Sequence, residues 1–498
     1  MDGLSHLGTA LAALAGPWQI AYALGATLAG IIIGLLPGLS ATLGVALFTT
    51  LTLKMQPTDA ILVLVCVYVG AIYGGSRTAI LLNIPGTAAN AAACLDGNML
   101  ARQGQAGRAM GIATTGSVAG SLFGVVCLAM FTPLLAETAL KFGAFEFFWL
   151  GMVGVMMSGS LTGANPIKGW LMGLLGIFVA NIGLDPIHAH PRFTFDSNAM
   201  SGGIGLIPAL VGAFGFAEIL TVMSQPKLKA MANSVDSVLP KIMDVLRYWR
   251  TILRSGLIGV FVGILPGVGE DMAAWSSYAA AKRASKEREQ FGKGSVDGLI
   301  AAETGDNAAI PGALIPALAL GIPGSAPAAV LMAAMIIHGA QPGPMLMVNQ
   351  PQFIYDVVGI TLVSTLAMLV FGLLLVRPIL WVLRVPREII MPIVFVLCVL
   401  GSYSITQRLF DVWVMLGVGV GCFWLRQRGF PVAPFVLGLV LGDIVDKSLR
   451  RGLVLSDGSL LPFFTRPISA LLALLVLAML VAQVPALRRW FTPRRKPK

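Results

Sequence analysis

The chain runs to 498 residues, of which 56% are hydrophobic and only 11% charged, with a mean hydropathy of +0.84. Soluble domains carry about 25% charged residues, so this composition excludes a soluble globular protein and gives an all-α polytopic membrane protein. The net charge of +11 points to no nucleic acid, because the basic residues gather at the ends of apolar runs; that is the pattern of cytoplasmic loops beside a lipid bilayer.

From the N-terminus, apolar runs cover 20–36, 58–72, 109–135, 144–160, 169–182 and 203–223. After a basic stretch they resume at 251–265, 353–376, 388–400, 412–425 and 467–484. Roughly 10–12 membrane helices are expected, several below the ~20 residues of a full span, so some segments enter the bilayer without crossing it. The N-terminal "MDGLSHLGTALAALAGPW" lacks a basic leader region, so no cleaved signal peptide is expected. Five scattered cysteines with no C-x-x-C indicate neither a disulfide frame nor a metal site.

Two short motifs recur in the same order. "GLLPGLSATLG" (34–44) returns as "GILPGVGEDMA" (263–273), and "LLNIPGTAA" (81–89) as "ALGIPGSAP" (319–327). Pro37 and Pro266 stand 229 residues apart, Pro85 and Pro323 238 apart. A near-constant offset implies an internal duplication: a first repeat half at 1–226, a basic cytoplasmic linker at 227–250, and a second half at 251–498 with C-terminal helices and a basic tail. Repeats with interrupted hydrophobic segments at matching places are the sequence pointer to a secondary-transporter fold.

Charge orients the pieces. Residues 227–250 and 282–293 are both basic, hence both cytoplasmic. Each arm between them has ~15 residues, roughly 22 Å of helix against a ~30 Å hydrocarbon core. A re-entrant helical hairpin with its tip at Pro266-Gly267 satisfies both facts. The first-half tip, Pro37-Gly38, is followed by the weakly basic "LKMQPTD", compatible with the opposite side and so with an inverted repeat. The alternative is that each Pro-Gly only kinks a continuous span.

Within lipid, irregular backbone survives only where protein or water surrounds it. Breaks at four places would free N–H groups suited to a carboxylate and carbonyls suited to a cation. The candidate substrate- and cation-binding residues are therefore Pro37, Gly38, Ser40 and Thr42; Gly75, Ser76, Arg77, Asn83, Pro85, Gly86 and Thr87; Pro266 and Gly267; Glu303, Thr304, Asp306 and Asn307; and Gly321, Pro323, Gly324 and Ser325. Other roles stay open: Glu303 and Asp306 as caps at the cytoplasmic surface, Ser76 and Ser325 as helix caps or close-packing residues, and Arg77 as a carboxylate ligand or a snorkelling side chain. Asp185, His188, His190 and Asp196 lack the spacing of a metal site and read as a loop. Asp443 and Asp446 beside Lys447, Arg450 and Arg451 read as a charged interfacial cluster. No nucleophile–base pair, nucleotide loop or zinc motif is present, so neither an enzyme nor a cofactor is indicated; the coupling ion would be Na⁺ or H⁺.

At "GLLPGLSATLGVAL", "YVGAIYGGSRTAILLNIPGTAA", "GFAEIL", "GILPGVG" and "IPALALGIPGSAPAAVLMAAMIIHGAQPGPML" the chain resembles the large membrane subunit of the tripartite tricarboxylate transporters, the TctA family. The likeness covers much of 30–125 and 205–346. It implies a cation-coupled carboxylate importer of the bacterial inner membrane, with a small four-helix TctB-like subunit and a periplasmic TctC-like solute-binding protein. Family substrates include citrate, often with Na⁺. The chain departs from the family at Asp306, where the pattern has an amide, and at Arg77, where it more usually has an apolar residue; citrate is therefore not transferred. An anion channel or facilitator without gradient coupling is the alternative.

Overall fold

The computed structural model describes residues 2–36, 38–161, 165–185, 189–224, 247–374 and 386–483. Pro37, His188, most of the 227–250 linker and the basic tail lie outside these described residues. The described residues are mostly helical, with one two-residue β-ribbon among them pairing 183–184 with 191–192. Among the described residues, seven helices are long and apolar enough to cross a membrane.

Contacts divide the chain into two compact units, one of 1–139 with 205–424 and the other of 140–204 with 425–498. The first holds α1 (Asp2–Leu14), α2 (Pro17–Leu35), α3 (Ala41–Leu51), α4 (Pro57–Leu82), α5 (Ala91–Arg102) and α6 (Ala106–Ala139). Leu206–Ser224 follows as α9, with a π-helical stretch at Val211–Phe216. Then come α10 (Trp249–Ile264), α11 (Gly269–Ala284), α12 (Val296–Leu320), α13 (Ala326–Ile337), α14 (Pro351–Leu374), α15 (Arg387–Thr406) and α16 (Leu409–Gln427). In the second unit α7 (Ala144–Leu161), α8 (Pro166–Ala180) and α17 (Val432–Leu455) pack on one another, and α18 (Pro467–Gln483) packs on α7. There Arg450 binds Asp185 at 2.7 Å and Asp446 at 3.0 Å, and Arg192 reaches Asp446 at 3.0 Å, so Asp185 and Asp446 belong to an ion-pair network.

Each Pro-Gly motif separates two helices; it does not kink one. Helix α2 stops at Leu35 and α3 starts at Ala41; α10 stops at Ile264 and α11 starts at Gly269. Each connection passes through a left-handed glycine, Gly38 at φ 94° and Gly267 at φ 73°, a conformation that favours glycine because it has no Cβ. Both arms pack on the next long helix: α2 and α3 on α4, and α10 and α11 on α12. With 11 and 12 residues, α3 and α13 reach only about 16–18 Å, too short to cross a bilayer unaided.

The backbone bonds of the two stretches repeat at the offsets of their motifs. Leu36 N–H donates to Ile33 O at 3.1 Å, and Leu265 N–H to Val262 O at 3.0 Å. Beyond the long helices, Gly86 N–H donates back to Gly75 O at 3.3 Å and Gly324 N–H to Ala313 O at 3.4 Å. Ile84 N–H reaches Thr78 O at 3.5 Å, and Ile322 N–H reaches Pro316 O at 3.2 Å. Both long helices end on a left-handed residue, Asn83 (φ 57°) and Gly321 (φ 71°). A methyl group on Gly86 would collide with the carbonyl of Gly34, and one on Gly324 with that of Gly263. Sequence-equivalent glycines thus clamp each break onto the end of its own hairpin's first arm.

Candidate functional site

The long helices α4 and α12 are buried over almost their whole length. On α12, Glu303, Thr304, Asp306 and Asn307 lie two to three turns inside the helix and are 0–1% exposed. Its N-terminus is capped instead by Ser295, whose hydroxyl accepts from Gly298 N–H at 3.1 Å. Glu303 and Asp306 are therefore interior acids, which sets aside the surface-cap role.

Their partners come from the other stretch. Ser76 of α4 and Ser117 of α6 both donate to Glu303 Oε2 at 2.8 Å. Asn307 Nδ2 donates to Ser117 Oγ at 2.9 Å and to the Glu303 carbonyl at 3.1 Å. Asn90, on the short 3₁₀ turn at 88–90, lies between the two acids. Its Nδ2 is 3.0 Å from Ser76 Oγ and 3.0 Å from Asp306 Oδ2, while Thr87 donates to its Oδ1 at 2.6 Å. Ser76, Thr87 and Asn90 of the first break thus converge with three residues of α12. Oδ1 of Asp306, Oδ1 of Asn307 and Oγ1 of Thr304 are buried there without a hydrogen-bond partner.

A second focus joins α4 to the other hairpin. Tyr68 donates to Glu270, which is 3% exposed in the first turn of α11, and its hydroxyl lies 2.8 Å from Ser325 Oγ. Ser325 also accepts from Ala328 N–H at 3.3 Å as the N-cap of α13, so it caps a helix and joins the network at once. Glu270, Glu303 and Asp306 of this network are each at most 3% exposed, and among the described residues Arg77 is the one lysine or arginine buried as deeply.

Arg77 faces α6. It donates to Met110 O at 2.7 Å, to Thr114 Oγ1 at 2.7 Å and to the Tyr73 hydroxyl, with its guanidinium carbon 4.2 Å from the Tyr73 ring centre. At 1% exposed it does not snorkel. Its charge acts on Glu303 from a distance. Gly75 packs beside Asn90, Gly38 against Val222, and Ser40 caps α3 at Leu43 N–H, 3.2 Å. Thr42 is buried within α3; Asn83 and Pro85 are exposed and outside the polar network. Pro266 and Gly267 form the second tip, and Pro323 and Gly324 are buried in the second break.

Sequence reasoning passed over Tyr68, Asn90, Ser117 and Glu270. It also passed over Asp96 on α5, fully buried, whose Oδ1 accepts from the N–H groups of Gly292, Gly294 and Ser295 at 2.8–2.9 Å while Tyr278 donates to Oδ2 at 2.8 Å. That cradle of backbone N–H groups fully satisfies the acid and fixes the loop before α12. Among the described residues, no group of three or more His, Cys, Asp or Glu side chains is arranged to hold a metal ion.

Residues 20–437 match the family model described as the tripartite tricarboxylate transporter TctA family. The chain belongs to the TctA family. It is 34% identical over 492 residues to the uncharacterized 52.8 kDa protein in TAR-I ttuC' 3'region of Agrobacterium vitis, covering 98% of both chains. It is also 34% identical over 233 residues to the uncharacterized protein in TAR-II ttuC' 3'region of the same organism, covering 46% of this chain and 96% of that one. No solved structure matches. This TctA chain is thus a multi-pass membrane component of a transporter, a family of transporters and not of enzymes, and the family implies a system with further subunits.

Proposed function

We propose that this TctA subunit is a secondary active transporter that takes up a carboxylate anion together with a coupling cation, Na⁺ or H⁺. The observation that carries the reading is the buried polar network, which bonds the first break to α12 and the second break to α4, through Ser76–Glu303, Asn90–Asp306 and Tyr68–Ser325. Breaks that open onto helix starts, at Thr87 before α5 and at Ser325 before α13, offer N-terminal dipole ends to an anion. Interior acids in excess over bases oppose the entry of an anion unless positive charge enters with it, which is the physical content of symport.

The repeated backbone bonds support an internal duplication, with inverted halves and re-entrant hairpins serving as gates on opposite sides. Delivery by a periplasmic TctC-like binding protein, a small TctB-like partner subunit and a place in the bacterial inner membrane complete the reading. The test is uptake of labelled di- and tricarboxylates into proteoliposomes holding this chain with its partner subunits, under imposed Na⁺ or H⁺ gradients. Gradient-driven accumulation of one acid is expected. Downhill flux indifferent to both gradients would replace the carrier by a channel.

A further inference from the structure

Asp306 is the interior acid left half-satisfied. Its Oδ2 accepts from Asn90 at 3.0 Å, whereas its Oδ1 is buried without a partner. The residue 238 positions earlier is Tyr68. There the phenol is engaged on both sides, by Glu270 and by Ser325 of the opposite stretch. At the matching place on α12, one carboxylate oxygen faces the protein interior with nothing to receive.

The charges around it make the deficit worse. Burial is the main obstacle to a charge there, and any charge carried by Glu303 on the same helix or by Glu270 and Asp271 on α11 adds to it. From α4 the one base is Arg77, whose Nη1 and Nη2 donate to Met110, Thr114 and Tyr73 while its Nε has no partner. The 88–90 turn supplies Asn90, and α6 brings hydroxyl groups, Ser117 and Thr114, to this network. Asp96 on α5 is bound to the loop before α12. A lone ionised carboxylate in such surroundings is penalised far more heavily than a neutral one. Glu303 receives two hydroxyl donors and Asp306 a single amide donor, so the two acids of one network are unequally hydrogen-bonded.

We infer that Asp306 is a proton-binding site, neutral as –COOH in this conformation, and that its proton is the coupling ion that crosses with the substrate. The coupling half of the inference rests on the transporter reading above; the proton-binding half does not. When the carboxyl ionises, the O–H bond at Asp306 breaks, the proton leaves to water on the exposed side, and the carboxylate keeps the electron pair. An incoming substrate carboxylate then meets one negative charge fewer whenever Asp306 has been reloaded.

Infrared spectroscopy of the purified full-length chain tests the site without any substrate. At neutral pH the spectrum should contain a carboxylic-acid carbonyl band that shifts in D₂O and is missing from Asp306→Asn; an identical band in both proteins would overturn the proposal. Asn90→Ala removes the N–H donor on Asp306 and serves should Asp306→Asn misfold: the band should move to higher frequency, and an unmoved band counts against the assignment. In proteoliposomes with the partner subunits and a panel of labelled di- and tricarboxylates, a proton gradient should drive wild-type uptake, falling at least tenfold in Asp306→Asn. Uptake driven by Na⁺ alone and blind to pH would overturn proton coupling while leaving the carrier reading intact. With the band present, the absence of gradient-driven uptake would sink the carrier reading and leave Asp306 as a proton site.

Discussion

The two breaks share a backbone and differ in almost everything their side chains do. The same hydrogen bonds recur at Gly86 and Gly324 and at Ile84 and Ile322, and the same glycine crossings seat them on Gly34 and Gly263. On the long helices, however, Glu303, Thr304, Asp306 and Asn307 stand where the earlier helix has Val65, Cys66, Tyr68 and Val69. Conversely Ser76, Arg77 and Asn90 stand where the later stretch has Leu314, Ile315 and Ala328. The polar residues missing from one stretch are supplied by the other, across the contact between them. Two stretches with matching backbone bonds therefore hold one principal network between them, not two copies.

If the backbone is the shared part, damage to it should be equal on both sides. Gly86→Ala and Gly324→Ala each force a methyl group into a carbonyl, an overpacking of about 1–3 kcal/mol or more. Each should abolish uptake and lower the melting temperature of the purified protein by a similar amount. A benign result at one glycine alone would break the equivalence. Damage to the side chains should be unequal. Glu303→Gln should reduce uptake roughly 100-fold, about 2.7 kcal/mol, whereas Val65→Ala at the matching position should leave it within about threefold; comparable losses would show that the network is not concentrated on α12.

Tyr68→Phe sharpens the contrast further. It strips a buried donor from Glu270 and a partner from Ser325, which should cost about 1–3 kcal/mol and show in chemical denaturation of the purified chain. A loss no larger than that of an exposed Tyr22→Phe control would mean that the phenol only fills space. The smallest effect belongs to the helix ends. Changing the exposed left-handed cap, Asn83→Gly, should alter stability by no more than about 1 kcal/mol, with uptake retained because the Asn83 side chain is exposed.

The breaks, the hairpin tips and the acids of α12 were legible because glycine, proline and charge are conspicuous in an oily sequence. The membrane class followed from composition alone. Asn90 was not legible: it follows an alanine pair in "GTAANAAA", and nothing local says that it will lie between two carboxyl groups from over 200 residues away. Glu270 was passed over for another reason. In "GVGEDMA" it sits in a first helical turn, where an acid is favoured by the helix dipole, and only Tyr68 on another helix makes it an interior group. Arg77 stayed open between a carboxylate ligand and a snorkelling side chain because a guanidinium is so costly in lipid; its hydroxyl and carbonyl partners lie one turn back on its own helix and on α6. What the sequence hides is which helices meet, since the bonds that join Ser76, Asn90, Ser117 and Tyr68 to the acids all cross between elements.

One contact limits how such a molecule can move. Asp96 ties α5 to the loop that leads into α12, through donors 196 to 199 residues away. It works as a rivet, and prising it open would strand a charge in the interior. Whatever rearrangement carries a solute across, these two parts must travel as one slab. Spin labels at Leu95 and Lys293 should therefore report the same separation in every state of the cycle, so any distance that does change has to be sought elsewhere in the chain.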